Sequence, residues 1–277
     1  MKMENVSDFI KACHDENIDS KKILLFRGEN EIHDSIIPSI YHPNSSYIEN
    51  EDKIYKEIIS KFPDEMLQQK TTVEKLILMQ HFGLPTRLLD ISKNPLVALF
   101  FACYGNSKVD GRVYIFSIPK DEIKYCDSDT VSVIANICKR PILFSIKGTK
   151  TQKTKTFNKN EDILYLVHEI REEKPYFQNL VQREHINSTI CLRPRLNNPR
   201  IIRQDGYFLL FGVDIEKMKC SKINKKWILN DIIIPKKSKQ KIMKELDFLN
   251  INESFLFPDY QHLASTFKEK YSKTNFA

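Results

Sequence analysis

One stretch decides the fold of this chain: residues 80–95, QHFGLPTRLLDISKNP, which run directly into residues 96–104, LVALFFACY. Every residue of the second part is apolar, so a helix there has no polar face and is expected to be buried on all sides. Asn94 suits its N-cap, Pro95 its first turn and Gly105 the position just past its end. The sequence therefore predicts polar side chains where the amino terminus of a buried helix enters the core.

The composition is that of a soluble globular protein, with 277 residues of which 41% are hydrophobic and 29% charged. The longest apolar run falls far short of the ~18 residues that a membrane-spanning helix needs, and residues 1–10 carry no hydrophobic signal region. We therefore expect a cytoplasmic protein that makes no membrane contact. The six cysteines show no C-x-x-C pair and no interleaved histidine spacing, so we expect free buried thiols, without a metal site or a disulfide framework.

The net charge of +7 suggests a polyanionic partner, but most of the positive charge is lysine: the chain has 33 lysines and 10 arginines, beside abundant isoleucine and asparagine. This composition is typical of an AT-rich coding sequence, so much of the lysine excess is expected to be solvated surface. Arginine is then the more informative cation, because its planar guanidinium group makes two-pronged contacts to carboxylate or phosphate. Four arginines fall close together, at positions 193, 195, 200 and 203.

Hydrophobic periodicity predicts an α+β protein with a mixed or antiparallel sheet surrounded by helices. Strands are expected over residues 21–28, 86–90, 111–118, 207–213 and 227–235. Helices are expected over residues 52–62, 71–82, 95–104, 161–171, 238–249 and 259–270. The helix over 71–82 opens with a capping box, Thr71-x-x-Glu74. Residues 139–160 hold seven Lys or Arg and no acid, which favours a mobile surface loop.

Three groups of motifs resemble the FRG domain family. They are Phe26-Arg27-Gly28, then Gln80-His81-Phe82-Gly83 with Pro85-Thr86-Arg87-Leu88-Leu89-Asp90 and Asn94-Pro95, and finally Asn198-Pro199-Arg200-Ile201 with Gln204-Asp205-Gly206-Tyr207-Phe208. The resemblance extends from about Lys22 to Val213, and residues 257–260 resemble the closing segment of the family. It implies one domain over 1–277, in which a C-terminal strand and helices (214–277) pack on a core over 22–213. It also implies a bacterial or phage-borne domain of mobile-element and defence settings.

A second resemblance is to ADP-ribosyltransferases of the arginine-serine-glutamate class. It rests on residues 25–28, Leu-Phe-Arg-Gly, and on a strand over 88–92 that leads into the buried helix. It implies an ADP-ribosyltransferase-like fold in which Arg27 binds the phosphates of NAD, and hence an NAD-dependent transferase or glycohydrolase. The chain departs from that class because it has no Ser-x-Ser triplet, and no Glu-x-Glu precedes the strand over 207–213. Transfer chemistry would then need Asp205, Asp90 or another residue.

The motifs and the residue types give a set of candidate site residues. The candidate catalytic residues are Arg27, His81, Arg87, Asp90, Gln204 and Asp205. The candidate ligand-binding residues are Phe26, Gly28, Gln80, Thr86, Ser92, Arg200 and Arg203. We expect the guanidinium groups among them to converge on one partly dry cleft that binds an anion.

Each candidate also has a structural explanation that stays open at this point. Arg27 could pair with a buried acid, and His81 could cap the carboxyl end of its helix. Asp90 could cap a turn or the next helix, and Arg200 could belong to a basic surface face. In an extended segment Arg87 and Asp90 point to opposite faces, so these two residues need separate partners.

The lead hypothesis is a cleft that binds a nucleotide or NAD-like ligand, in an ADP-ribosyltransferase-like or glycosidic-bond-cleaving effector of bacterial or phage defence, with a protein or nucleic-acid target. One alternative is a module that binds a nucleotide or a partner segment without turnover. Another is a basic nucleic-acid-binding protein that uses residues 139–160 and 236–244. No metal is expected in any of the three.

Overall fold

The structure is a computed structural model that describes residues 3–14 and 19–258. Its strands are β1 Lys22–Glu29, β2 Leu88–Ser92, β3 Gly111–Pro119, β4 Lys124–Tyr125, β5 Thr189–Arg193, β6 Gly206–Phe211 and β7 Ile228–Ile234. These seven strands, all within the described ranges, form one sheet in the order β4-β5-β6-β2-β1-β3-β7. β4 and β5 are parallel, and the other neighbouring strands are antiparallel. The chain therefore has an α+β fold on a mixed sheet, which confirms the predicted fold class.

Twelve α-helices, counted over the same two ranges, surround the sheet. They are α1 Val6–His14, α2 Glu51–Lys61, α3 Pro63–Leu67, α4 Thr72–His81, α5 Pro95–Cys103, α6 Asp129–Asn136, α7 Thr154–Phe157, α8 Glu161–Arg171, α9 Arg183–Ile186, α10 Pro199–Arg203, α11 Lys236–Phe248 and α12 Glu253–Leu256. α1, α5 and α11 share one hydrophobic cluster with β1 and β3, whereas α4 and α6 share another with β2 and β6. The predicted helix over 259–270 lies outside the described residues.

The segment after residue 213 joins the same sheet and core. β7 pairs with β3, and Ile242 and Leu246 of α11 are buried in the cluster that contains α5. The predicted division, a core over 22–213 with 214–277 packed on it as one domain, stays a prediction.

Helix α5 forms as its sequence predicts. The Asn94 side chain accepts a hydrogen bond from the backbone N of Leu96 at 2.9 Å, Pro95 is the first helical residue, and Gly105 has a φ of +90° just past the end. The helix lies directly on the sheet, because a Cβ on Gly28 would be 1.8 Å from the backbone oxygen of Ala98. Glycine at position 28 is therefore required for the contact between β1 and α5.

Helix α4 begins with the predicted capping box, which places its last turn beside β2. Thr71 accepts a hydrogen bond from the backbone N of Glu74, and the Glu74 carboxylate accepts one from the backbone N of Thr71 at 3.0 Å. The helix stops before Gly83, whose φ is +79°. Gln80 and His81 therefore lie at the carboxyl end of α4, as predicted.

The predicted surface loop over residues 139–160 is found in part: most of residues 147–156 are exposed, but the segment also has buried apolar anchors. Phe144 and Ile146 are fully buried and Phe157 is nearly so, in one cluster with α8 and α9. The basic residues at the start of the segment find acids outside it: Lys139 Nζ lies 2.9 Å from a carboxylate oxygen of Glu172. The pattern was misleading because widely spaced apolar anchors in a basic stretch show neither helical nor strand periodicity.

The prediction of free thiols is confirmed in the described residues, which contain all six cysteines. Five are buried and Cys220 is half-buried. Burial raises the pKa of Cys103, Cys138 and Cys191 to about 12. These thiols are protonated at neutral pH and are therefore poor nucleophiles. In the part of the chain that the structure describes, no helix is long and apolar enough to span a membrane.

Candidate functional site

The candidate site lies where β1 and β2 separate. Over the described residues these two strands are paired at one position, Phe26 opposite Ser92. The helices above them belong to different clusters, α5 on the β1 side and α4 on the β2 side. Next to the paired position the backbone hydrogen bonds between the two strands stop. There Arg27 Nη1 donates instead to the backbone oxygen of Asp90 at 2.9 Å. The guanidinium group thus satisfies a carbonyl that strand pairing leaves without a partner.

A cleft of about 220 Å³ opens over this split. Of the candidate residues, its walls contain Phe26, Arg27, Gly28, Gln80, His81, Asp90, Ser92, Arg200 and Gln204. Phe101 and Phe208 add an aromatic wall. Segments that are remote along the chain therefore meet at one hollow.

Arg27 is held at the centre of the split by two contacts. Its Nε donates to Glu29 Oε1 at 3.0 Å, and its Nη1 donates to Asp90 as described above. The side chain keeps 20% of its surface exposed. Among the described residues these contacts engage Nε and Nη1, so Nη2 carries the donors that remain for a ligand.

A chain of hydrogen bonds orients Asp90 at the edge of the cleft. Thr86 Oγ1 accepts from the backbone N of Leu88 at 3.1 Å and donates to Gln80 Oε1 at 2.5 Å. Because the amide oxygen of Gln80 is thereby fixed, its Nε2 faces Asp90 Oδ2 and donates to it at 2.6 Å. Asp90 is exposed, and its Oδ1 is the oxygen that this chain of contacts leaves to a ligand. Thr86 therefore acts through Gln80 and does not line the cleft.

Helix α10 and the C-terminal segment form the opposite wall. The Arg200 guanidinium lies 4.6 Å from the centre of the Phe257 ring. Gln204 is buried, its Nε2 donates to the backbone oxygen of Leu256 at 3.1 Å, and its own backbone oxygen accepts from Ser92 Oγ at 2.6 Å. These contacts tie β2, α10 and residues 256–257 together, so the wall that carries Arg200 is held by both hydrogen bonds and ring contact.

Comparison with protein families gives a match between residues 22–111 and the FRG domain. Residues 22–111 are therefore similar to the FRG domain. The matched range runs from β1 to the start of β3 and includes Arg27, Gln80, His81, Asp90 and the whole of α5. Comparison with curated proteins and with solved structures gave no match.

The prediction that Arg87 faces the cleft is wrong. Arg87 is fully buried, and both of its edges are occupied: Nε and Nη2 donate to the two carboxylate oxygens of Glu51 at 2.9 and 2.5 Å, and Nη1 donates to the backbone oxygen of Phe211 at 2.9 Å. The alternation of a strand explains the difference, because it directs residues 87 and 90 to opposite faces. Arg87 is therefore a structural ion-pair partner of Glu51, separate from Asp90 as the extended segment requires.

Glu51 holds a second cation as well as Arg87. Lys217 is fully buried, and its Nζ lies 3.0 Å from Glu51 Oε2 and 2.5 Å from the backbone oxygen of Arg140. Burial acts to raise the pKa of the Glu51 carboxyl, but the charges and hydrogen bonds of Arg87 and Lys217 outweigh it, so the pKa is lowered. The carboxylate is thus ionised at neutral pH and holds Arg87 and Lys217 together in the interior.

Asp205 and Arg203 also lie outside the walls of the cleft. Asp205 is an exposed turn residue with a φ of +44°, and its backbone oxygen accepts from the backbone N of Lys93 at 3.0 Å. Arg203 Nη1 donates to the backbone oxygen of Phe255 at 3.1 Å. The predicted acid-base role of Asp205 and the predicted ligand contact of Arg203 are therefore corrected to a turn and a link to α12.

The cleft thus brings together cations, a carboxylate, an imidazole and aromatic rings. His81, the last residue of α4, is half-buried in the cleft wall beside Gln80. Sequence reasoning missed the aromatic wall and Glu29, which follows the Phe-Arg-Gly motif directly and was overlooked because the motif was taken to end at Gly28. In the described ranges no group of three or more His, Cys, Asp or Glu side chains is arranged to hold a metal ion.

Proposed function

We propose that this protein binds a nucleotide of the NAD type in this cleft and acts on its N-glycosidic bond, as an ADP-ribosyltransferase-like or glycohydrolase effector in bacterial or phage defence. The observation that carries the proposal is the placement of Arg27. It bridges the separated strands, keeps Nη2 for a ligand, and shares the cleft with the guanidinium group of Arg200. Planar guanidinium donors bind phosphate oxygens in pairs.

Charge and shape of the cleft support an anionic ligand with an aromatic part. Arg27, Arg200 and Asp90 line the cleft, while Glu29 pairs with Arg27 at 3.0 Å. The guanidinium donors that these contacts leave over are suited to an anion. Phe101 and Phe208 offer apolar surface on which a base or a pyridine ring packs.

Asp90 is the residue we assign to the chemical step. Cleavage of an N-glycosidic bond passes through an oxocarbenium-like ribose, which a nearby carboxylate stabilises. The bond between ribose C1′ and the nicotinamide nitrogen breaks, and its electron pair leaves with nicotinamide. Water, or the acceptor in a transfer reaction, adds to C1′ and loses its proton to Asp90 or to solvent. Gln80 holds the carboxylate in one orientation for this role.

Nicotinamide release from NAD tests the catalytic part of the proposal. We expect the wild-type protein to release nicotinamide, as measured by chromatography, and Asp90→Asn to release it at least ~100-fold more slowly, because a neutral amide stabilises the developing positive charge poorly. Asp205→Asn is the matched control, since asparagine tolerates the positive φ of that turn. Release by Asp90→Asn at the wild-type rate would exclude Asp90 from the reaction.

Binding without turnover is the second candidate function, and the size of the cleft favours it. A volume of about 220 Å³ is below the ~300–1,000 Å³ of common ligand pockets. A binding module would take up ADP-ribose and release no nicotinamide from NAD. Nucleic-acid binding has less support, because Lys139 is paired with Glu172 and Lys239 of α11 is buried.

A further inference from the structure

A second hollow of about 240 Å³ lies beside the cleft. Both hollows have Arg27, Gly28 and Phe101 in their walls. The second one is completed by residues that follow Arg27 along the chain and by the end of α5: Glu29, Asn30, His33 and Tyr104. Arg27 therefore stands between two spaces, which suits a ligand with an anionic centre and a group on each side of it.

Glu29 is the unexplained side chain of the second hollow. Its Oε1 accepts from Arg27 Nε at 3.0 Å. The side chain is only 8% exposed and its Oε2 is buried, but within the described residues Oε2 has no hydrogen-bond partner. A buried carboxylate oxygen without a donor costs free energy and calls for an explanation.

Arg112 and Asn30 make their hydrogen bonds to other partners, and within the described residues Arg112 Nε, like Glu29 Oε2, is buried without a hydrogen bond. Arg112, opposite Glu29 in the strand ladder, donates from Nη1 to the Tyr114 hydroxyl at 2.8 Å and pairs with Asp231 at 3.2 Å. Asn30 Nδ2 donates to the backbone oxygen of Tyr104 at 3.0 Å. Among the described residues no group donates a hydrogen bond to Glu29 Oε2, and a hydroxyl that enters the hollow would supply the donor.

We propose that the second hollow is a ribose subsite, in which Glu29 Oε2 accepts a hydrogen bond from a hydroxyl of the sugar next to the phosphate that Arg27 binds. An ionised carboxylate is an acceptor only, so it needs a donor. A neutral hydroxyl supplies one and leaves the pair between Arg27 and Glu29 intact, whereas a cationic group would compete with Arg27. Phe101 and Tyr104 give the sugar an apolar wall. This subsite rests on the proposed binding of a nucleotide at Arg27.

Calorimetric titration with ADP, 2′-deoxy-ADP and 3′-deoxy-ADP tests the subsite. We expect the wild-type protein to bind at least one of the deoxy ligands about tenfold or more weakly than ADP, because that ligand leaves the carboxylate oxygen without its donor. Glu29→Gln is expected to bind all three with similar affinity, since the amide still accepts from Arg27 but places a donor at the second position. Glu31→Gln, at an exposed acid two residues further on, should keep the wild-type preference.

The outcomes separate this inference from the proposed function. Equal affinity of the wild-type protein for all three ligands would overturn the ribose subsite and leave nucleotide binding standing. Failure of the wild-type protein to bind ADP would overturn both. The wild-type comparison decides the matter alone if Glu29→Gln does not fold.

Discussion

Glu51→Gln is expected to lower the free energy of unfolding by about 3–5 kcal/mol, because it leaves Arg87 and Lys217 buried without their counter-charge. Both cations are fully buried, so water cannot replace the carboxylate. Urea denaturation at neutral pH measures the effect. Glu49→Gln is the matched control, since Glu49 is exposed two residues earlier and should change stability by no more than ~0.5 kcal/mol.

The pH dependence of stability is a second test of the ion pairs that Glu51 makes with Arg87 and Lys217. The pKa of Glu51 is lowered in the folded protein from its ordinary value of 4.5. As the pH falls, the Glu51 carboxyl is therefore protonated in the unfolded chain at a higher pH than in the folded protein. The stabilisation by Glu51 is therefore fully present above pH 4.5 and is lost progressively below it. We expect the difference in stability between wild type and Glu51→Gln to shrink on acidification. A difference below ~1 kcal/mol at neutral pH would mean that the cluster has little net effect.

Removing the Arg27 charge is expected to weaken the binding of ADP-ribose by about 2–5 kcal/mol, which corresponds to roughly 30-fold to several thousand-fold. Substituting Arg27 alone would leave Glu29, its partner at 3.0 Å, as a buried unpaired carboxylate. The double variant Arg27→Gln/Glu29→Gln avoids this problem, because both partners become neutral. Its thermal stability should stay near that of the wild type while its affinity for ADP-ribose falls by this amount.

Arg203→Gln is the control for the Arg27 variant. Arg203 is an arginine of α10 that lies outside the cleft wall and contacts the backbone of Phe255. The Arg203→Gln variant should bind ADP-ribose as the wild type does. Equal losses in the two variants would indicate a general effect of surface charge, and unchanged binding by the double variant would show that Arg27 holds no phosphate.

Local signals in the sequence predicted the elements that position the cleft. Asn94, Pro95 and the unbroken apolar run define α5 by themselves, and the capping box at Thr71 defines the start of α4. Because both helices are specified by neighbouring residues, the placement of Gln80, His81 and Asp90 near one another followed from short-range reasoning. The Phe-Arg-Gly step added Arg27, since a strand end is where a charged side chain can leave the core.

The remaining features depend on contacts between distant residues. Arg87 finds Glu51 36 residues away, in a helix whose sequence has the pattern of an ordinary surface helix. The separation of β1 from β2 is a property of sheet register, which no single segment encodes. The role proposed for Glu29 depends on the second hollow, whose wall is formed by residues distant in sequence, Gly28 of β1 and Phe101 of α5.

The NMR signals of the arginine Nε–H groups test the central claim most directly. Arg27 and Arg87 each donate from Nε to a carboxylate, at 3.0 and 2.9 Å, so both signals should be protected from rapid exchange and can be assigned by substitution. On titration with ADP-ribose, we predict that the Arg27 signal shifts with saturation while the Arg87 signal, under the sheet, stays in place. If ADP-ribose binds and the Arg27 signal does not move, the phosphate site is not at the strand split. If ADP-ribose does not bind at all, the proposed phosphate site does not exist.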